Sequence, residues 1–207
     1  MTNTAIHALQ IINQLYEGIS GFSVSISSRE QEGRMDESSL TYGELTDKSI
    51  VEVLDVVKPK TGEVFYDLGS GAGKPVLWSS VLYDWKKCCG IELLKGLSEL
   101  SQQQAQKLKT NPEILKLFPD KKFDIGFINA NMLEVDFTDA NVILANATAF
   151  SADLWQSLCE KFLTLSVGTR ITSLTKSINL PEFEQFHSGT YLMTWGMNSV
   201  NFYKKVK

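Results

Sequence analysis

The sequence predicts an α/β protein whose doubly wound sheet is mostly parallel, preceded by N-terminal helices and closed by an antiparallel hairpin strand. Three observations predict it. Short β-type apolar runs alternate with amphipathic helical stretches, the pattern of a parallel sheet covered on both faces. The first run, "EVFYDL", passes straight into a glycine-rich turn and then into a helix. The last stretch, "GTYLMTWGMNSVNFYKKVK", reads as two strand halves broken at Gly196-Met197-Asn198. The 207 residues suit one domain with a single good core.

The elements follow in order. Residues 4–19 place Ile6, Leu9, Ile12, Tyr16 and Ile19 at helical spacing, with Gly18 and Gly21 marking the end. "SVSISSREQEGRMDESSL", residues 23–40, is polar, Ser-rich and mixed in charge, so it reads as an arm or loop: a plain connector or a lid. Residues 1–45 thus form a helix and polar arm, and residues 46–207 the ligand-binding domain. Asp47 is placed to cap a helix carrying Ile50, Val53, Leu54 and Val57, which Pro59 stops. After the first strand, Pro75 suits the first turn of a helix running to about Tyr83. "KKCCGIEL" is the second strand and "LLKGLSELSQQQAQKLK" a helix. A loop with Pro112 and Pro119 leads to "FDIGFIN", and "ANVILAN" is the fourth strand. Residues 151–165 are a helix with Leu154, Leu158 and Phe162 on one face, and "GTRITSL" is the fifth strand.

Charge and composition narrow the function classes. A formal net charge of −4 gives no strong nucleic-acid signature. Cys88, Cys89 and Cys159 have neither disulfide-framework nor zinc spacing, and His7 and His187 stand without ligand partners, so no metal is expected. No apolar run approaches the ~20 residues of a membrane span, and no signal pattern opens the chain. A cytoplasmic protein is expected, with nuclear residence or signal-less secretion as the open alternatives.

The turn "DLGSGAGKP" defines the ligand. A triphosphate loop requires four residues between its glycines and a hydroxyl after the lysine. Gly69 and Gly73 enclose only three, and Pro75 follows Lys74. The dinucleotide fingerprint G-x-G-x-x-G is also not met; Gly69, Gly71 and Gly73 give G-x-G-x-G. Without side chains, such a turn lets a ligand lie on its backbone. Asp67, ending the first strand, is placed to face a cation, and Glu92, ending the second, to accept both ribose hydroxyls. The ligand is a nucleoside with a partly cationic polar tail, a description that S-adenosylmethionine meets. Lys74 is expected to project into water.

These residues resemble the class I S-adenosylmethionine-dependent methyltransferases, whose fold is Rossmann-like, and within them the Dot1-like, histone-lysine branch. The resemblance covers roughly residues 40 to 204. Tyr42-Gly43-Glu44 resembles the family's "YGE" segment over the cofactor, and "YDLGSGAGKPVL" its "DLGSGxGxxVL". "GIEL" resembles its "GVE", with Glu92 as the ribose acid, and "ANVILANATAF" its "ADVIFVNNFAF". Asn131-Met132 falls where the family has an adenine-contacting Asp-Phe, and Phe202 where it has a channel tyrosine. Ala147 replaces a second Asn, and a long basic tail of the kind that helps hold nucleosomes is missing. The resemblance implies S-adenosylmethionine binding by Tyr42, Glu44, Asp67, Gly69, Ser70, Gly71, Gly73, Glu92, Asn131, Met132 and Asn146. It implies methyl transfer to a protein lysine, with Asn146 and Tyr42 orienting the acceptor. Phe150, Phe202 and Trp195 would wall a channel that desolvates the amine. Two alternatives remain open at this point: a small-molecule or RNA methyltransferase on the same fold, and a cofactor-binding protein without transfer activity.

Overall fold

The computed structural model describes residues 1–207. Seven strands form one sheet: β1 (Val64–Leu68), β2 (Lys87–Glu92), β3 (Ile125–Asn129), β4 (Val142–Ala145), β5 (Arg170–Leu174), β6 (Phe183–Met193) and β7 (Gly196–Lys205). Their order is β3-β2-β1-β4-β5-β7-β6. The first five are parallel, and β7 pairs antiparallel with both β5 and β6. Strand order reverses between β1 and β4, and in such sheets a ligand crevice opens at the carboxyl ends there.

Seven helices complete the fold: α1 (Asn3–Leu15), α2 (Gly21–Gln31), α3 (Asp47–Val57), α4 (Lys74–Leu82), α5 (Lys95–Thr110), α6 (Pro112–Leu117) and α7 (Ala152–Phe162). The strands alternate between two cores, as a period of two requires. Phe65, Leu144, Leu174, Val200 and Phe202 join one cluster with α1, α3, α4 and α5. Tyr66, Ile143, Ile171 and Tyr203 join the other, with α7 residues Trp155, Leu158 and Phe162.

Several sequence expectations are corrected. The first half of the arm at residues 23–40 belongs to helix α2, and a short 3₁₀ turn at Ser38–Leu40 ends it. Ser25 and Ser28 are buried, and Phe22 and Ile26 face outward, so this helix packs through small polar residues rather than an apolar stripe. In α1 the buried face is Ala8, Leu9, Ile11 and Ile12, while Ile6 is exposed. Because α1 shares its core with α3 and α4, residues 1–45 are packed into the domain rather than appended to it. Thr46, not Asp47, caps α3, its hydroxyl accepting the Ser49 N–H at 3.1 Å. Pro112 starts helix α6 where a loop was expected. Thr194 and Trp195 form the hairpin turn, so Gly196, Met197 and Asn198 are already paired in β7. β6 also starts earlier than the sequence suggested, at Phe183.

Candidate active site

The carboxyl ends of β1, β2 and β4 open into a cavity of about 260 Å³. Tyr42, Glu44, Asp67, Gly69, Ser70, Gly71, Glu92, Asn131, Met132, Asn146 and Phe150 all line it. The turn that forms its floor is fixed by backbone geometry. Gly69, Gly71 and Gly73 have φ of +78°, +54° and +85°, conformations that side-chain-bearing residues rarely adopt. A Cβ on Gly71 would lie 2.8 Å from the Tyr42 ring. Gly73 does not line the cavity: a Cβ there would meet Phe127 of β3 at 2.6 Å and Ser101 of α5 at 2.7 Å. Its role is therefore close packing at the start of α4.

Two buried carboxyls face this floor. Glu92 is held from both sides, Oε2 accepting the Gly71 N–H and Oε1 the Leu94 N–H, each at 2.8 Å. Burial pushes its pKa up, and these N–H bonds oppose the shift. Asp67 lacks that support. Its carboxyl is pushed up to about 8, first by burial and then by the neighbouring charge of Glu92. Asp67 Oδ2 and Ser70 Oγ are buried without a hydrogen-bond partner. Buried orphans of this kind are costly in a packed interior, and a ligand bearing a cation and polar groups would satisfy them.

The roof comes from the segment before α3. The Tyr42 hydroxyl donates to Glu44 Oε1, and Lys74 Nζ donates to Glu44 Oε2 at 2.6 Å. Lys74 thus lines the cavity in an ion pair instead of projecting into water, and its ammonium also lies 5.2 Å from the Tyr16 ring centroid. Gly21, opening α2, gives Tyr42 its space: a Cβ there would be 2.2 Å from the hydroxyl oxygen. Backbone bonds join this segment to the hairpin tip, Thr194 N–H to Glu44 C=O at 3.0 Å and a bridge between Leu45 and Met193. The Trp195 ring lies against Gly43, where a Cβ would approach it to 2.3 Å.

Asn146, at the end of β4, donates from Nδ2 to the Gly43 carbonyl at 3.0 Å, tying floor to roof. Phe150 and Met132 stand side by side over Gly69. Asn131 Oδ1 accepts the Leu133 N–H at 3.0 Å, so one of its lone pairs serves its own turn. Phe202 is a correction. It is fully buried among Phe186, His187 and Tyr191 and does not line the cavity. Strand register is the reason, because Phe202 pairs with Thr172, two residues short of the carboxyl end of β5. Trp195 is outside the lining as well.

Sequence reasoning missed Arg34, Glu37, Ser39, Leu40 and Thr41, which close the cavity from the end of α2 onward. The Arg29 guanidinium fixes this turn through the carbonyls of Arg34, Met35 and Glu37. Only the charge pattern around Arg34 and Glu37, an i,i+3 pair at 2.8 Å, hinted at order there.

Strand order and cavity together define the class I methyltransferase fold. TrmN from Thermus thermophilus superposes with a TM-score of 0.63 at 17% identity, over 84% of this chain and 53% of that one. An RNA methyltransferase from Salinibacter ruber, in complex with S-adenosyl-L-homocysteine, gives 0.58 at 18% identity over 78% of this chain and 93% of that one. The family is more specific: residues 22–203 match the family described as "Histone methylation protein DOT1", and the chain belongs to it. The chain is 28% identical over 167 residues to the "Histone-lysine N-methyltransferase, H3 lysine-79 specific" of Gibberella zeae, covering 79% of this chain and 33% of that protein. Identity to the Debaryomyces hansenii protein of the same description is 26%, over 94% of this chain and 18% of that protein. The chain therefore spans a third or less of the length of these relatives. The site's residues fit S-adenosylmethionine, on the evidence of the orphaned Asp67 and Ser70 oxygens and the bare glycine floor.

Proposed function

We propose that this chain is an S-adenosylmethionine-dependent methyltransferase acting on a protein lysine. One observation carries the reading: two buried carboxyls, one of them unpartnered, flank a glycine floor whose backbone is open to a ligand. Asp67 would take the cofactor's ammonium, and Glu92, already oriented by two N–H bonds, would take the ribose hydroxyls. Asn131 and Met132 would flank the adenine, and Gly69, Ser70 and Gly71 would lie beneath the tail. Lys74 is the cation available to the cofactor's carboxylate, at the expense of its bond to Glu44.

When bound, S-adenosylmethionine supplies a methyl group on a cationic sulfur, which transfers by in-line displacement to a neutral nucleophile. The chain's residues supply alignment and water exclusion. Phe150, Met132 and the Tyr42 ring are apolar surfaces around the floor, and a lysine brought among them loses its proton more readily because its charged form is desolvated. Glu44 is held by Lys74 and Tyr42 and serves to fix the roof, not to act as a base. Asn146 orients the acceptor beside the roof.

The relatives' names support a histone acceptor, and a histone substrate would place the protein in the nucleus, contrary to the cytoplasmic expectation. No helix is long and apolar enough to cross a membrane. Titration calorimetry with S-adenosylmethionine on wild type, Gly71→Arg and Glu92→Ala tests the reading. Binding by wild type alone supports it, and absence of binding at millimolar ligand ends it. Labelled cofactor with recombinant histone H3 and with bulk protein then identifies the acceptor.

A further inference from the structure

Beside the cavity, three side chains that neither the sequence nor the family comparison singled out form a network that reaches Asn146 through Thr148. Thr148 Oγ1 lies 3.3 Å from Asn146 Oδ1 and 2.9 Å from Thr175 Oγ1. The Thr175 hydroxyl donates to Asn198 Oδ1 at 3.0 Å, and Asn198 Nδ2 donates back to Thr148 Oγ1 at 3.2 Å. The network joins the ends of β4 and β5 to the start of β7.

Two features set it apart from ordinary surface polarity. Thr175 has φ +67°, an outlier for a β-branched residue. Its neighbours bond across it, Lys176 N–H to Leu174 C=O at 2.7 Å, which makes it the centre of a strained three-residue turn. Strain of this kind persists only where the surroundings over-determine it, and it concentrates at functional sites. The second feature is a shortage of protons. Two hydroxyl hydrogens serve three hydroxyl contacts. With Thr175 donating to Asn198 and Asn198 Nδ2 to Thr148, the Thr148 hydrogen is shared between Thr175 Oγ1 and Asn146 Oδ1. Asn146 Oδ1 takes the longer arm of that hydrogen on one lone pair and keeps the other open. Its nitrogen is already committed to Gly43, and turning the amide over would set its oxygen against the Gly43 carbonyl.

We propose that Thr148, Thr175 and Asn198 are positioning residues for Asn146. They hold its amide with the nitrogen on Gly43, through the Thr148 hydrogen on Oδ1, and leave the second lone pair of that oxygen to accept a hydrogen bond from an N–H or O–H of the bound substrate. The strained turn at Thr175 exists to deliver that hydroxyl. This inference rests on the reading above that Asn146 orients the acceptor, and the experiment separates the two.

The variants are Thr175→Gly, which removes both strain and hydroxyl, Thr175→Ser, which keeps the hydroxyl, and Thr148→Val. The first readout needs no acceptor: the NMR signals of the Asn146 side-chain amide, assigned with Asn146→Asp. Wild type and Thr175→Ser should show one slowly exchanging amide with contacts to Gly43, while Thr175→Gly and Thr148→Val should broaden it. The second readout is turnover of recombinant histone H3 with labelled S-adenosylmethionine. Thr175→Gly should lose ~10-fold in kcat at unchanged cofactor affinity, and Thr175→Ser should retain it. The melting temperature of Thr175→Gly should hold or rise, because glycine is at ease at this φ; a merely structural threonine would move stability and not kcat. An unchanged amide signal in both hydroxyl-less variants overturns the inference, as does full turnover in them while Asn146→Ala is inactive. Full turnover in Asn146→Ala overturns instead the reading beneath it. If wild type does not methylate H3, the amide signals alone decide.

Discussion

The two flanks of the sheet's switch point are built differently. At the ends of β1 and β2 stand carboxyls, buried, with Asp67 and Ser70 left short of partners. At the ends of β4 and β5 and the start of β7 stand neutral side chains, partly exposed and bonded to one another through Asn146, Thr148, Thr175 and Asn198. A buried carboxyl without a partner is kept neutral by its raised pKa, ready to ionise when a ligand brings a cation. Neutral groups bonded in a chain set orientation instead. On the proposed function, one flank would hold the cofactor and the other would aim what receives the methyl group.

Asp67→Asn breaks this comparison most directly. Removing the charge opposite a cationic tail should weaken S-adenosylmethionine binding by ~10- to 100-fold in calorimetry. Asp67 also makes a pH prediction. Its pKa in the empty protein, about 8, lies above that of an unfolded aspartate. A carboxyl raised in this way contributes stability at low pH that is lost as pH rises through the folded value. Glu92 is shifted in the same direction. The ligand-free protein should therefore melt at a lower temperature at pH 8 than at pH 5, by at most about 1.4 kcal/mol per pH unit for each such group. Asp67→Asn should flatten that slope. Binding of a cation should ionise Asp67, so cofactor titrations near pH 7 in buffers of different ionisation enthalpy should report proton release from wild type and none from the variant. A pH-independent melting temperature would remove the electrostatic half of the comparison.

A smaller effect sharpens the link between the flanks. Gly43 passes beneath Trp195 and accepts from Asn146. Gly43→Ala pushes the indole off the roof, because its Cβ meets Trp195 Cζ3 at 2.3 Å. Overpacking of this kind costs about 1–3 kcal/mol. Turnover should fall by more than cofactor affinity does, since Trp195 lies outside the cavity and a shift of residue 43 displaces the carbonyl that anchors Asn146. Equal losses in both would mean that the roof serves the cofactor alone.

How much of this was legible in the sequence depended on whether the signal was local. The glycine turn was readable because positive φ at Gly69, Gly71 and Gly73 demands glycine itself. Asp67 and Glu92 were readable because the ends of parallel strands near a switch point are where ligands bind. Lys74 was misplaced because its partner, Glu44, lies thirty residues back and meets it only through the tertiary fold. Phe202 was misplaced because a resemblance fixes alignment but not depth, and its register sets it two residues below the edge of the sheet. The hairpin turn fell on Thr194-Trp195 because pairing with β6 carries through the glycine that seemed to break it.

Helix α2 was the largest omission, and it carries the smallest of these effects. Its sequence lacks an apolar stripe because its inner face is made of small polar residues that approach α5 closely. Ser28 Oγ accepts the Gly96 N–H at 2.9 Å, and Glu32 Oε1 accepts the Lys95 N–H at 2.9 Å. The Ser28 hydroxyl in turn donates to that carboxylate at 2.6 Å. The first turn of α5 has no cap of its own, since Leu94 provides none, so α2 supplies one from outside. Leu94 also donates its N–H to Glu92, so the cap and the buried carboxyl share one stretch of backbone. Ser28→Ala should cost about 1 kcal/mol, the usual value of a lost cap, visible as a lower melting temperature. Glu32→Ala should act on the same bonds, and the double variant should lose less than the sum of the two. Cofactor affinity should fall only slightly, through Glu92. A large loss of affinity at unchanged stability would instead make α2 part of the cofactor site and move the boundary between the two flanks.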